Sequence, residues 1–201
     1  HAAHEKVLYE RFMKIFKEQE IHTQQISPPI ILSLSMDEQN YLKTNLKYLE
    51  EMGYEYPMPV QEEVIPYLLG NRNDVVALAQ TGTGKTAAFG LPLIQKIDVS
   101  NCVPQALVLC PTRELCLQIA GDLTDYSKYI SNLKILPVYG GSSIDSQIKS
   151  LKKGVHIIVA TPGRLIELME RKVARLSTIK DVVMDEADEM LNMGFTESIN
   201  S

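Results

Sequence analysis

Short runs of apolar residues recur along most of this chain. They cover residues 75–79, 106–110, 135–138, 157–160 and 182–184. Runs of this length without polar interruption are typical of strands that are buried on both faces of a sheet. Between them, apolar residues return at helical spacing, as at Leu115, Ile119 and Leu123. Strands that alternate with helices predict an α/β fold, with a mostly parallel sheet and helices on both faces.

The first 35 residues have a different pattern. Apolar side chains recur at helical spacing against a charged face, at Leu8, Phe12, Ile15 and Phe16. Residues 24–35, with Pro28 and Pro29, are typical of a linker. We therefore predict an N-terminal helical extension and linker over residues 1–35 and a main domain over residues 36–201. The extension fits an accessory helix that packs on the main domain or on a partner chain, and it predicts no function of its own.

The loop after the first apolar run has the composition of a phosphate-binding loop. It consists of Ala79, Gln80, Thr81, Gly82, Thr83, Gly84, Lys85 and Thr86, and residues 87–89 can continue as a helix. The glycines let successive backbone N–H groups turn toward phosphate oxygens, and the positive end of the following helix adds to that field. Lys85 supplies a charge for the β- and γ-phosphates, and the Thr86 hydroxyl can ligate Mg2+. The order of strand, loop and helix predicts a nucleotide site.

Acidic residues follow the last apolar run, at Asp185, Glu186 and Asp188. Such a patch taken alone is most often a solvated turn. Together with the phosphate loop it indicates a nucleotide hydrolase, in which Asp185 holds Mg2+ and Glu186 orients the attacking water.

Net charge, apolar runs and cysteine spacing exclude several classes of protein. The net charge of −5 argues against a broad basic surface that would bind any polyanion, although a few arginines and backbone N–H groups can still bind nucleic acid phosphates. No apolar run has the length of a membrane span, and no secretory signal is visible. The three cysteines lack metal-ligand spacing, and Cys110 and Cys116 fit small buried side chains. A reducing, cytoplasmic location is the expectation.

Several motifs in a fixed order resemble the DEAD-box family of ATP-dependent RNA helicases, over roughly residues 46–201. The similar segments are residues 53–61 (Q motif), 79–86 (motif I), 111–118 (motif Ia), 140–141 (paired glycines), 161–164 (motif Ib) and 185–188 (motif II). The resemblance implies a RecA-like P-loop domain that binds ATP and Mg2+, with Lys85, Asp185 and Glu186 as catalytic residues. It further implies that the Gln61 amide recognises the N6 and N7 edge of adenine, and that Asp188 links the ATP site to a second RecA-like domain.

The resemblance also implies contact with RNA. The implied residues are Pro111, Thr112, Arg113, Gly140, Gly141, Thr161, Pro162, Gly163 and Arg164. Because each segment follows an apolar run, we expect the three loops at one edge of the sheet, with Pro111 and Pro162 where the next helices begin. N–H groups, hydroxyls and the two arginines would then hold successive phosphates. Nothing in these segments reads base edges, so we expect binding that is independent of RNA sequence.

The sequence departs from the family pattern in three places. The usual adenine-stacking aromatic position falls on Met36. Either another side chain stacks on adenine, with Tyr41 or Tyr54 as candidates, or the segment before Leu46 is shifted. In addition, Met58 replaces a common Thr. No Ser-Ala-Thr motif follows Asp188, so the second RecA-like domain, with its arginine fingers, is not expected within this chain. We therefore expect a monomer that binds nucleotide and weakly binds RNA, with little unwinding. An ATP-gated RNA clamp and a DNA helicase of the same superfamily remain alternatives.

Overall fold

A computed structural model describes residues 57–70, 74–80 and 82–192. The chain divides into two units, residues 1–59 and residues 60–201, and the sheet belongs to the second. The predicted N-terminal extension lies outside the described residues. In the part of the chain that is described, no helix combines the length and the apolar character needed to cross a membrane.

The second unit is built on a parallel sheet of four strands in the order β2-β3-β1-β4. The strands are β1 (Ala106–Leu109), β2 (Ile135–Val138), β3 (Ile157–Ala160) and β4 (Asp181–Met184). The helices are α1 (Pro59–Gly70), α2 (Lys85–Gln95), α3 (Arg113–Tyr126), α4 (Ile144–Lys152), α5 (Pro162–Glu170) and α6 (Ala187–Asn192). The prediction of an α/β fold with a parallel sheet is confirmed.

Helices cover both faces of the central strands, because successive strand residues point to opposite sides. On one face, Ala106 and Val108 pack with α2 and α3, whose Leu93, Ile119 and Leu123 belong to the same buried cluster. The other face has a second buried cluster, formed by Leu107, Val138, Ile158, Leu165 and Leu168 with the apolar side of α4. Cys110 and Cys116 are fully buried, as their apolar surroundings predicted.

The first apolar run is where the sequence-based prediction was wrong. Residues 74–80 form no strand, and the side chains of Val76 and Leu78 are 55% and 62% exposed. β4 is half-exposed as well, with Val182 at 59% and Met184 at 54%. A strand needs a backbone partner as well as apolar side chains. Among the described strands, β4 pairs with β1 along one edge, and its other edge has no strand partner. Of the predicted strand, loop and helix, the structure therefore has the loop and the helix but not the strand.

The packing of α3 generates a stability prediction. Leu123 is fully buried between α2 and the sheet, whereas Leu117 on the same helix is 40% exposed. We expect Leu123→Ala to lower the free energy of unfolding by about 2–5 kcal/mol, because it leaves a cavity that the surrounding core cannot fill. Leu117→Ala is the matched control and should stay within about 0.5 kcal/mol of the wild type. Urea denaturation followed by circular dichroism measures both, and equal losses would contradict the packing described for α3.

Candidate nucleotide site and nucleic-acid cleft

The candidate site residues lie beyond the carboxyl ends of the parallel strands. Backbone hydrogen bonds continue the ladder past the strand ends, from Cys110 N to Ala160 O at 3.1 Å and from Asp185 N to Leu109 O at 2.9 Å. A third bond joins Thr161 N to Val138 O at 2.9 Å. The loops after β1, β3 and β4 are thereby held at one edge of the sheet, where ligands bind in open α/β folds.

The phosphate loop has the backbone that its glycines predicted. Gly82 and Gly84 have φ values of 82° and 81°, in the left-handed region that favours glycine. The Thr83 hydroxyl closes the turn by donating to the Gln80 carbonyl at 2.7 Å. Gly84 is the N-cap of α2, which places Lys85 and Thr86 in its first turn with that turn's N–H groups free of any side-chain cap. This helix end can receive an anion. Thr81 lies outside the described residues.

Gln61 is joined directly to the phosphate loop. It is 5% exposed on α1, and its Nε2 donates to the carbonyl oxygen of Gly84 at 3.1 Å. The contact spans 23 residues of sequence and was not foreseen from the motif. It fixes the N-cap of α2 and sets the amide beside the loop that would hold the phosphates. Recognition of adenine by Gln61 stays a prediction.

The acidic loop makes a strained turn after β4. Glu186 has a φ of 51°, in the left-handed region that non-glycine residues rarely adopt. Asp185 Oδ1 accepts a hydrogen bond from Glu186 N at 3.1 Å, and Glu186 O accepts from Glu189 N at 3.0 Å as α6 begins. The turn exposes Asp188 and leaves Asp185 and Glu186 half-buried.

The electrostatics of Glu186 connect this loop with the phosphate loop. Burial raises the pKa of its carboxyl group above the usual range, with help from a hydrogen bond to Glu189 and from the Asp185 charge. The Lys85 ammonium lowers the same pKa, so it acts on Glu186 across the site. The structure thus places Lys85 and Glu186 in one electrostatic environment, although 100 residues of sequence separate them.

Two oxygen-bearing side chains, those of Thr86 and Asp185, are the candidate ligands for Mg2+. The described residues contain no group of three or more His, Cys, Asp or Glu side chains that could enclose a metal ion. Mg2+ is commonly held by one or two protein oxygens together with phosphate oxygens and water. The Thr86 hydroxyl and the Asp185 carboxylate are such donors.

A cleft of about 430 Å³ brings together residues from all three predicted RNA-binding segments. It is lined by Pro111, Arg113, Gly140, Thr161, Gly163, Arg164 and Glu167. The other three predicted residues, Thr112, Gly141 and Pro162, are their sequence neighbours. Pro162 is the first residue of α5, as expected, but Pro111 precedes the N-cap of α3, so its predicted position at the helix start was wrong. Thr112 occupies that N-cap, and its Oγ1 accepts from Leu115 N at 3.2 Å.

Each cleft arginine has a local partner. The Arg113 guanidinium lies over the Tyr139 ring at 5.0 Å from its centroid. Gly141, at φ 78°, allows this approach, because a Cβ there would lie 3.3 Å from Arg113 Nη1. Arg164 Nε pairs with Glu167 Oε2 at 3.0 Å. The guanidinium groups are therefore ordered at the cleft wall before any ligand binds.

Sequence reasoning missed three residues of this cleft region: Tyr139, Gln147 and Glu167. The spacing of Arg164, Glu167 and Arg171 is a helical ion-pair pattern that could have indicated Glu167. Gln147 stands on the apolar side of α4, one turn after Ile144, and a polar residue in that position was a signal as well.

Most of the chain is similar in sequence to one family of known proteins. The family model described as DEAD/DEAH box helicase matches residues 58–201. The ATP-dependent RNA helicase DeaD of Mycobacterium tuberculosis is 51% identical over 154 residues, which are 77% of this chain and 27% of the relative. The DEAD-box ATP-dependent RNA helicase CshA of Geobacillus kaustophilus is 49% identical over 78% of this chain and 33% of its own length. This chain thus spans about a quarter to a third of these curated relatives.

Solved structures agree with the sequence match. A DEAD box protein from Methanococcus jannaschii has a TM-score of 0.72 and 41% identity, over 84% of this chain and 44% of its own. A hypothetical ATP-dependent RNA helicase from Sulfolobus tokodaii has a TM-score of 0.68 and 38% identity, over 78% of this chain and 45% of its own.

A second family model overlaps the first. The one described as MutL C terminal dimerisation domain matches residues 1–74, so both models include residues 58–74. Within this overlap, Gln61 is hydrogen-bonded to Gly84 of the phosphate loop and belongs to the same unit as the sheet. The candidate adenine-stacking positions Met36, Tyr41 and Tyr54 precede residue 58, where the helicase match begins, and they lie outside the described residues. Adenine stacking therefore stays a prediction.

The interaction between the two loops can be measured by titration. Because Lys85 lowers the pKa of the Glu186 carboxyl, we expect Lys85→Met to raise that pKa further. Lys96→Met is the control, since Lys96 follows α2 at its other end and pairs with Asp181 at 3.2 Å. Carbon-detected NMR of the glutamate carboxyl groups reports the value in each variant. An unchanged Glu186 pKa in Lys85→Met would contradict the electrostatic interaction between Lys85 and Glu186.

Proposed function

Because this chain belongs to the DEAD/DEAH box helicase family, we propose that it is the ATP-binding and RNA-binding part of an ATP-dependent RNA helicase. Residues 36–201 would form the first RecA-like domain, working in the cytoplasm as one half of a two-domain enzyme. The observation that carries the proposal is that the acidic loop and the cleft lie at one edge of a single sheet. The Lys85 charge, which lowers the pKa of Glu186, is a minor supporting observation.

In the nucleotide site, each described residue has a role that its position supports. N–H groups at the start of α2 and the Lys85 ammonium hold the phosphates, and the Gln61 amide beside the loop selects adenine. Thr86 and Asp185 would hold Mg2+, which when bound neutralises charge on the phosphates. Glu186, whose pKa is raised, is suited to accept a hydrogen bond or a proton from the attacking water.

The cleft is proposed to hold the sugar–phosphate backbone of one RNA strand. Its cations are guanidinium groups, which bind phosphate oxygens in a fork geometry. Gly140 and Gly163 leave room for a backbone to approach the cleft floor. The two guanidinium groups are proposed to contact phosphates rather than base edges, and the affinity should therefore vary little with RNA sequence.

Assays on the complete protein can distinguish an ATP-hydrolysing helicase from an ATP-gated RNA clamp. We expect Glu186→Gln in that protein to retain ATP and RNA binding and to lose ATP hydrolysis by at least about 100-fold, because the amide cannot take the proton of the attacking water. RNA-stimulated phosphate release and duplex separation are the measurements. Normal hydrolysis by Glu186→Gln would remove Glu186 from its role. A wild type that binds RNA with ATP but scarcely turns over would favour the ATP-gated clamp, and equal binding of 2′-deoxy strands would favour a DNA helicase.

Nucleotide binding can be tested on the 201-residue chain itself. We expect Lys85→Ala to abolish measurable binding of a fluorescent ATP analogue, since it removes the side-chain cation of the phosphate loop. Lys96→Ala removes a lysine just after the same helix, at an exposed ion pair, and should bind the analogue as the wild type does. A parallel loss in both variants would point to damage of α2 rather than to a phosphate contact.

A further inference from the structure

Gln147 is a buried amide without a place in the motifs of the family resemblance. It is 4% exposed on α4, on the side of the helix that packs through Ile144, Ile148 and Leu151. An apolar residue would occupy such a position at a lower free-energy cost, because burial of an amide is unfavourable unless its hydrogen bonds are made. The partners of this amide therefore indicate why it is there.

Both ends of the Gln147 amide are used, and each end serves a different part of the cleft. Nε2 donates to the Tyr139 carbonyl at 3.1 Å and to Ser142 Oγ at 2.7 Å, which spans the loop that contains Gly140 and Gly141. Oε1 accepts from Arg164 Nη1 at 3.3 Å. The same Nη1 donates to the Ser142 carbonyl at 3.1 Å. One side chain thus joins the paired-glycine loop to the arginine of α5.

The connection extends to the third segment through Tyr139. Its carbonyl is held by Gln147, and its ring supports the Arg113 guanidinium. Gln147 therefore contacts two of the three cleft segments directly and the third through one residue. Its own side chain does not line the cleft.

We propose that Gln147 is a positioning residue that sets the spacing of Arg113, the paired-glycine loop and Arg164, so that the cleft fits successive phosphates of one RNA strand. This inference rests on the proposed function. Without the amide, Arg164 keeps its partner Glu167, whose carboxylate also bonds Arg171 Nη2 at 2.8 Å. The Ser142 carbonyl would then be the remaining loop partner of the guanidinium, against the competing carboxylate of Glu167.

A second buried glutamine provides a matched control. Gln105 is 3% exposed, and its side chain donates to the carbonyls of Asp98 and Asn101 and accepts from Asp98 N. It precedes β1, at the end of the sheet opposite the cleft. Gln147→Met and Gln105→Met each replace a fully bonded amide by an apolar side chain of similar length. Both should lower the thermal midpoint by a similar amount.

The two variants should differ in RNA binding and in local exchange. We expect Gln147→Met to weaken binding of a fluorescein-labelled decauridine about tenfold, as loss of hydrogen bonds to a charged partner would do. Affinity for the fluorescent ATP analogue should be unchanged. Gln105→Met should leave both affinities unchanged. Backbone hydrogen exchange of residues 139–147 should rise in Gln147→Met and stay at the wild-type level in Gln105→Met. Ser142→Ala removes one partner of the amide from a half-exposed site and should weaken RNA binding in the same direction.

Each result has a distinct meaning. Unchanged RNA affinity in Gln147→Met, or an equal loss in Gln105→Met, overturns the positioning role. If Gln147→Met does not fold, unchanged RNA affinity in Ser142→Ala overturns it instead. Absence of RNA binding by the wild-type chain, with normal ATP-analogue binding, overturns the proposed RNA function. In that case, faster hydrogen exchange at residues 139–147 in Gln147→Met still supports Gln147 as the residue that positions this loop. Unchanged exchange at these residues overturns the positioning of the loop as well.

Discussion

The parallel register of the sheet is the constraint on which both candidate sites depend. Leu109 is aligned with Ala160 on one side and with Met184 on the other, and Val138 is aligned with Ala160. Because these residues end their strands in one row, the chain must leave all four strands at the same edge. The sequence that follows each strand then decides what that edge can bind. Glycines, prolines, arginines and acids from loops far apart in sequence thereby lie at one edge of the sheet.

Local pattern predicted most of the elements but not the contacts between them. Apolar runs predicted β1, β2, β3 and β4, and glycines predicted the left-handed turns at Gly82 and Gly84. The run at 75–79 shows the limit of this pattern, because among the described residues it makes no strand pair although β4 is paired on one side alone. The bonds from Gln61 to Gly84 and from Arg164 to Gln147 join residues 23 and 17 positions apart, and no local rule predicts such pairs.

An acidic chain can present a cationic cleft because the relevant charges act at short range. The net charge of −5 is spread over the whole chain, and at physiological salt charges separated by more than about 8 Å are largely screened. Arg113 and Arg164 are ordered by Tyr139, Gln147 and Glu167, so much of the entropic cost of immobilising them is met on folding. Glu167 has a second effect, since a phosphate must compete with it for Arg164. The cleft therefore combines two locally held cations with a carboxylate that limits their attraction for an anion.

β1 connects the two candidate sites through its backbone. It pairs with β3 on one side and β4 on the other, and beyond its end Leu109 O accepts from Asp185 N while Cys110 N donates to Ala160 O. The next residues are Pro111 and the N-cap Thr112, which set where Arg113 begins α3. A displacement of Asp185 on nucleotide binding would act on the same strand end that positions Arg113. The left-handed turn at Glu186 lies at this junction, next to the hydrogen bond by which Asp185 N joins the end of β1, so a change in the acidic loop would reach Arg113 through the backbone of β1.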